Sequence, residues 1–204
     1  MSREDYSKPD YYSRRAKREG YPARSVYKLK ELDERYRILR VGNKVLDLGA
    51  SPGSWMKYCS EIIGENGLVV GIDRNELKHS VLRNEVFIKG DIYELKPEQI
   101  EREYGKFDVV LSDLAPDTMG NKTTDAVRSI ALAERAYEFA RVLLKIGGKF
   151  LVKVFQGDGF EDFMKSLRGG FNSVKSTKPK SSRASSAEMF IFCSGFSIAK
   201  GGKS

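Results

Sequence analysis

The chain has 204 residues, 40% of them hydrophobic, which suits one domain with a proper core. No run nears the about 18 apolar residues of a membrane span, and the opening MSREDYSKPDYYSRRAKREG holds no apolar segment that a secretory leader would need, so a soluble cytoplasmic protein is expected. Cys59, Cys193 and a single histidine, His79, are too few and too scattered for a disulfide framework or a zinc site, and no metal is expected.

The net charge of +8 is placed unevenly. Residues 1–40 hold twelve Lys or Arg against seven acids, and residues 165–183 hold six with no acid. Residues 1–21 read as a basic arm, in which Arg14, Arg15, Lys17 and Arg18 are interleaved with Tyr6, Tyr11, Tyr12 and Tyr21. Cations beside aromatic rings suit phosphate contact and base stacking, which makes nucleic acid the leading partner.

From residue 22 to residue 198 a single domain is expected. Residues 22–37 read as a helix with Pro22 in its first turn and an apolar stripe at Val26, Leu29, Leu32 and Tyr36, off which Lys28 falls. The pattern then becomes strand, turn, helix, repeated: KVLDLG, SWMKYCSEII, LVVGID, EVFIKGD, KFDVVLSDLAP, a long helix near 124–145, and KFLVKVF. Short apolar strands alternating with helices predict a mostly parallel sheet covered on both faces. Residues 175–186, KSTKPKSSRASS, read as a loop, AEMFIFCSGF as the last strand, and residues 199–204 as a flexible tail.

In such a sheet ligands lie beyond the carboxyl ends of the strands. VLDLGASPGSW runs from a strand through a turn into a helix, and Gly49 and Gly53 permit close backbone approach there. The dinucleotide spacing G-x-G-x-x-G is absent. Asp73 closes the second strand where an acid can take both ribose hydroxyls, and Asp91 closes the third where it can meet an adenine amino group. A nucleoside turn with a ribose acid but no pyrophosphate glycines suggests S-adenosylmethionine. Asp113 closes the fourth strand on the same edge. Lys153 interrupts the apolar FLVKVF, where an unpaired ammonium costs several kcal/mol. Glu188 and Lys28 are placed to join Asp113 and Lys153 in one cleft, with capping or plain surface charge as the alternative for each but Lys153.

The segments RSVYKL (24–29), VLDLGASPGSW (45–55), LSDLAPD (111–117), LVKVFQGDGF (151–160) and KPKSSRASSAEMFIF (178–192) together resemble the FtsJ-like (RrmJ) RNA ribose 2′-O-methyltransferases, over roughly residues 20–196. The resemblance implies a Rossmann-like methyltransferase fold with a seven-stranded sheet, S-adenosylmethionine as cofactor, and a catalytic tetrad of Lys28, Asp113, Lys153 and Glu188. It also implies a cofactor turn of Gly49, Pro52, Gly53 and Trp55 with the acids Asp73, Asp91 and Asp113. The family's A-P-G-G-W reads SPGSW here, with small serines at 51 and 54. The RNA-contacting candidates are Arg14, Arg15, Lys17, Arg18, Arg24, Lys178, Lys180 and Arg183. The expected substrate is a uridine of large-subunit ribosomal RNA, met by a monomer; transfer RNA, or a non-catalytic role in ribosome assembly, is the alternative.

Overall fold

Strands buried on both faces must be covered on both faces, and the chain supplies that cover by alternating strands with helices. The computed structural model describes residues 11–183 and 186–197. Its elements are α1 (Tyr11–Arg18), α2 (Val26–Tyr36), β1 (Lys44–Leu48), α3 (Ser54–Ile63), β2 (Leu68–Asp73), β3 (Glu85–Lys89), α4 (Pro97–Tyr104), β4 (Phe107–Ser112), α5 (Lys122–Leu143), β5 (Leu144–Phe155), α6 (Phe160–Arg168), β6 (Phe171–Thr177) and β7 (Glu188–Phe196). The seven strands run in the order β3-β2-β1-β4-β5-β7-β6. All neighbours are parallel except β7, which runs antiparallel to both β5 and β6.

The period of two along each strand divides the core. Leu46, Val70, Val110, Phe150 and Val152 face α5 and α6, whereas Val45, Val69, Val109, Leu111, Leu151 and Phe190 face α1, α2 and α3. The buried stripe of α5 combines small side chains, Ala126, Ser129, Ala133, Ala136 and Ala140, with the larger Ile130, Phe139 and Leu143. Asn121 caps it, the side chain accepting from the amides of Thr123 and Thr124.

Several boundaries differ from the sequence reading. α2 begins at Val26 rather than at Pro22, because Ala23 gives its N–H to, and takes a hydrogen bond from, the Ser54 hydroxyl at the start of α3. β6 extends to Thr177, into the stretch read as loop; after Phe171 its residues NSVKST are polar apart from Val174 and give little apolar signature. α4, α6 and β6 are additional elements, and α4 buries only Pro97 and Ile100. Within the basic N-terminal stretch, Tyr11–Arg18 is a helix seated through buried Ala16. Residues 1–10, with Tyr6, and residues 199–204 lie outside the described residues. Tyr12 packs on Tyr27 at 5.4 Å between ring centres, and Tyr21 is buried with its hydroxyl donating to Glu61. The Lys30 ammonium sits 4.3 Å from the centre of the Tyr21 ring, which ties α2 to that segment.

Asp47, in the middle of β1, is fully buried, and neither carboxylate oxygen has a hydrogen-bond partner among the described residues. Burial pushes its carboxyl well above the ordinary 3.8, and the charges of Asp113, Asp73 and Glu85 push the same way. The folded protein therefore retains a proton that the unfolded chain releases above about pH 4, and stability must fall as pH rises through that window. In Asp47→Asn the group cannot ionise, so urea titrations from about pH 5 to about pH 9 should show a higher unfolding free energy and a flatter decline. Parallel profiles for the two proteins would assign the slope to other groups.

Candidate active site

The strand order reverses between β1 and β4, and a cleft of about 560 Å³ opens beyond their carboxyl ends, within the usual size for small-molecule sites. Gly49, Asp73, Asp91 and Asp113 line it. Gly49 has φ +82°, and a Cβ there would stand 3.0 Å from the Leu114 amide, so only glycine lets the turn pass this close to the exit of β4. Asp73 fastens the turn from below: one oxygen accepts from the Ser51 amide at 2.9 Å and the other from the Asn75 amide at 2.8 Å. Asp91 accepts from the Tyr93 amide at 2.9 Å.

Pro52, Gly53 and Trp55 do not line the cleft. The Pro52 carbonyl accepts from the Lys78 amide, and Gly53, at φ +105°, starts α3 with the His79 ring packed where a Cβ would be. Trp55 is buried, donates from Nε1 to the Ser25 carbonyl at 3.0 Å, and lies 6.0 Å from the Phe190 ring centre. These three join the turn to its surroundings.

Beside the cleft, four charges, from α2, from the residue after β4, from β5 and from β7, form two ion pairs. Register explains the placement: Leu111 pairs with Leu151 and Ser112 with Val152, so Asp113 emerges opposite Lys153. Lys153 Nζ donates to Asp113 Oδ1 at 2.8 Å and to the Asp113 carbonyl at 2.6 Å. It is 7% exposed, turned away from Val152 and Val154, which face the opposite core. Glu188 stands opposite Phe155 in the antiparallel ladder, two residues from the partner of Lys153. Lys153 and Glu188 are thus diagonal neighbours on one face, a spacing of about 7–8 Å. Lys28 grips Glu188 with both oxygens, at 2.6 Å to Oε1 and 2.7 Å to Oε2, and its Nζ lies 6.0 Å from the Phe190 ring centre. One buried and one partly buried ammonium with two carboxylates so arranged compensate one another's desolvation and leave polar atoms at a cleft edge.

The family described as FtsJ-like methyltransferase matches residues 21–196. The chain belongs to the FtsJ-like methyltransferase family. It is 47% identical over 182 residues to a ribosomal RNA large subunit methyltransferase E from Desulfatibacillum aliphaticivorans, covering 89% of this chain and 88% of that one. It is 46% identical over 189 residues to the protein of that name from Syntrophobacter fumaroxidans, covering 91% and 95%. A solved Plasmodium falciparum structure described as a ribosomal RNA methyltransferase aligns with TM-score 0.76 at 31% identity, covering 86% of this chain and 98% of that one. Aeropyrum pernix fibrillarin shares the fold, with TM-score 0.57 at 18% identity, over 83% of this chain and 76% of that one.

Around this family's site the RNA-contacting candidates divide into two groups. Arg14, Lys17, Arg18, Lys178, Lys180 and Arg183 are exposed, whereas Arg15 and Arg24 are partly buried. Arg15 instead donates to Glu19 at 2.6 Å over the Tyr27 ring, and that hydrogen bond is the main cause holding Glu19 down to about 2. Arg24 donates to the Ser181 carbonyl at 2.8 Å, and Lys178 to the Ser186 carbonyl at 2.7 Å. Three site residues carry no sequence signal. Arg74 reaches across the cleft mouth to Asp117 at 3.1 Å, Arg128 donates to the Asp117 carbonyl, and the Ser182 hydroxyl donates to Glu188 Oε1 at 3.1 Å. Each comes from a loop or a helix face whose position depends on the tertiary fold.

Gly53→Ala should lower the unfolding free energy by about 1–3 kcal/mol, since alanine resists this φ and its methyl would lie 2.2 Å from His79 Nδ1. Denaturant titration measures the loss; an unchanged midpoint would show that the turn can relax around a side chain.

Proposed function

We propose that this protein transfers a methyl group from S-adenosylmethionine to a ribose 2′-hydroxyl of RNA, a uridine of large-subunit ribosomal RNA. Support for the RNA class comes from the names of the relatives, and support for the chemistry from the Lys153–Asp113 pair, the observation that carries this reading.

The cleft fits the cofactor. Four carboxylates, Asp73, Asp91, Asp113 and Asp117, line it against two guanidiniums, those of Arg74 and Arg128, which suits a ligand bearing an ammonium and a sulfonium. Asp73 would hold the ribose hydroxyls with lone pairs not used by Ser51 and Asn75, and Asp91 the adenine amino group. When bound, the cofactor supplies an electrophilic methyl carbon.

The residues of this chain supply orientation and a place for the proton. A 2′-hydroxyl is a weak nucleophile, so alignment for in-line attack is most of the task. As base, Lys153 acts once the ammonium of its ion pair has given a proton to solvent; the neutral amine keeps two N–H groups, for which Asp113 offers two acceptors, its carbonyl and Oδ1. The lone pair is then directed to the remaining side, where the hydroxyl proton can be received. Asp113 thereby sets the direction in which the amine acts. Lys28, fixed by Glu188, would hold the ribose or the adjoining phosphate. Arg14, Lys17 and Arg18 on α1, with Lys180 and Arg183 on the loop before β7, would hold phosphates to either side.

Lys153→Ala should reduce the single-turnover rate on saturating RNA by ~10²-fold or more while cofactor affinity, read by calorimetry, stays within a few-fold. Labelled methyl transfer to large subunits and to free ribosomal RNA, with ribose methylation mapped, tests the whole reading; a variant keeping more than about a tenth of the rate would remove Lys153 as base.

Replacing Arg14, Lys17 and Arg18 together by glutamine should flatten the dependence of RNA affinity on salt by about 0.7 in log–log slope for each single-strand phosphate that these residues neutralise. Cofactor affinity should not change. Parallel salt lines for the variant and the parent would take α1 out of the RNA-binding surface.

A further inference from the structure

On the face of α2 turned toward the last strands, and just before it, polar residues recur at the spacing of a helical stripe: Arg24, Lys28, Glu31 and Arg35. Each reaches the last residue of β6, the segment between β6 and β7, or the first residue of β7. Arg35 donates to the Thr177 hydroxyl at 2.7 Å, Arg24 to the Ser181 carbonyl, and Lys28 grips Glu188. Glu31 holds two successive loop residues. Its Oε1 accepts from the Lys180 amide at 2.9 Å, and its Oε2 accepts from the Ser181 amide at 3.2 Å and the Ser181 hydroxyl at 3.3 Å.

Those two amides belong to a loop that is also held by Arg24 at the Ser181 carbonyl and by Lys178 at the Ser186 carbonyl. Ser181 is buried although it lies in a loop, and Lys180 beside it is exposed. A Ser182 amide bond to the Pro179 carbonyl closes a tight turn, and the next group in the chain is the Ser182 hydroxyl that donates to Glu188 Oε1. The oxygen it meets is also the one that lies 2.6 Å from Lys28. Helix, loop and Glu188 therefore close into a ring: Glu31 to the loop, the loop through Ser182 to Glu188, Glu188 to Lys28, and Lys28 back along one turn of α2 to Glu31.

We propose that Glu31 is a positioning residue for methyl transfer, which sets the loop of residues 178–183 so that Ser182 orients the Glu188 carboxylate and, through it, Lys28. The assignment rests on the proposed methyltransferase reaction. A carboxylate is suited to the task because it accepts from several donors at once and has no hydrogens to repel them. The loop also carries Lys180 and Arg183, so a phosphate bound there would be held in fixed register with the Lys28–Glu188 pair.

The test uses the full chain with Glu31→Ala, Glu31→Gln, Ser182→Ala and the Glu31→Ala/Ser182→Ala double variant. Glu31→Ala should lower the single-turnover rate at saturating RNA by about tenfold, leave cofactor affinity and melting temperature near the parent's, and speed hydrogen exchange at the Lys180 and Ser181 amides. Glu31→Gln, with one oxygen left to accept, should recover part of the rate, and the double variant should be no slower than the slower single one. A parent-like rate in Glu31→Ala, or losses that simply multiply in the double variant, would overturn the proposal. So would unchanged exchange at the two amides, a result that needs no activity and no RNA. Absence of methyl transfer by the parent would instead count against the proposed reaction, and the amide exchange would still decide the role of Glu31.

Discussion

An ammonium that is 7% exposed in the middle of an apolar strand is tolerable only if a carboxylate stands beside it, and this requirement fixes the relative positions of β4 and β5. A slip of one residue in their register would turn Lys153 toward α5, into the apolar core that holds Phe139 and Leu143. Because β4 ends at Ser112, the Asp113 carbonyl lies past the end of that strand and accepts from the same lysine. The chain thus ends a strand one residue short of its acid, and both oxygen types of that residue become available to one side chain.

The second pair depends on the first through the sheet. Glu188 reaches the same face only because β7 reverses direction and pairs Phe155 with Glu188. Lys28 reaches it because α2 packs Val26, Leu29 and Leu32 into the core, which turns the opposite side of its first turn toward the start of β7. Four segments distant in sequence meet on two charge pairs, and Trp55, Phe190 and Leu151 pack in the apolar core beneath them.

Much of this is legible in the sequence, and for identifiable reasons. Lys153 stands out because its neighbours are uniformly apolar, and Asp73, Asp91 and Asp113 because strands with clear ends put their last polar residues on one edge. The helix from Ser54 to Ile63 lies where its pattern puts it. The rest depends on what distant residues do. Trp55 belongs by motif with the cofactor turn, yet its indole serves Ser25 and Phe190, partners that only the folded chain supplies. Tyr12 and Tyr21 read as open to bases and are occupied by packing, whereas Tyr11 remains 61% exposed. Arg15 counts as a phosphate ligand by charge alone, and Glu19, four residues on, claims it. β6 is hidden because a strand at the edge of a sheet can be polar along most of its length.

The reversed β7 has a consequence for biosynthesis. It is the last strand in sequence but lies between β5 and β6, so both of those must wait for it. A chain stopped short of residue 188 would present two facing rows of unsatisfied backbone groups, a template for pairing with other chains, and would lack one of the four charged groups altogether. Premature termination near the end should therefore yield an insoluble product, and a nascent chain has a strong reason to stay protected until its final strand slots into the gap.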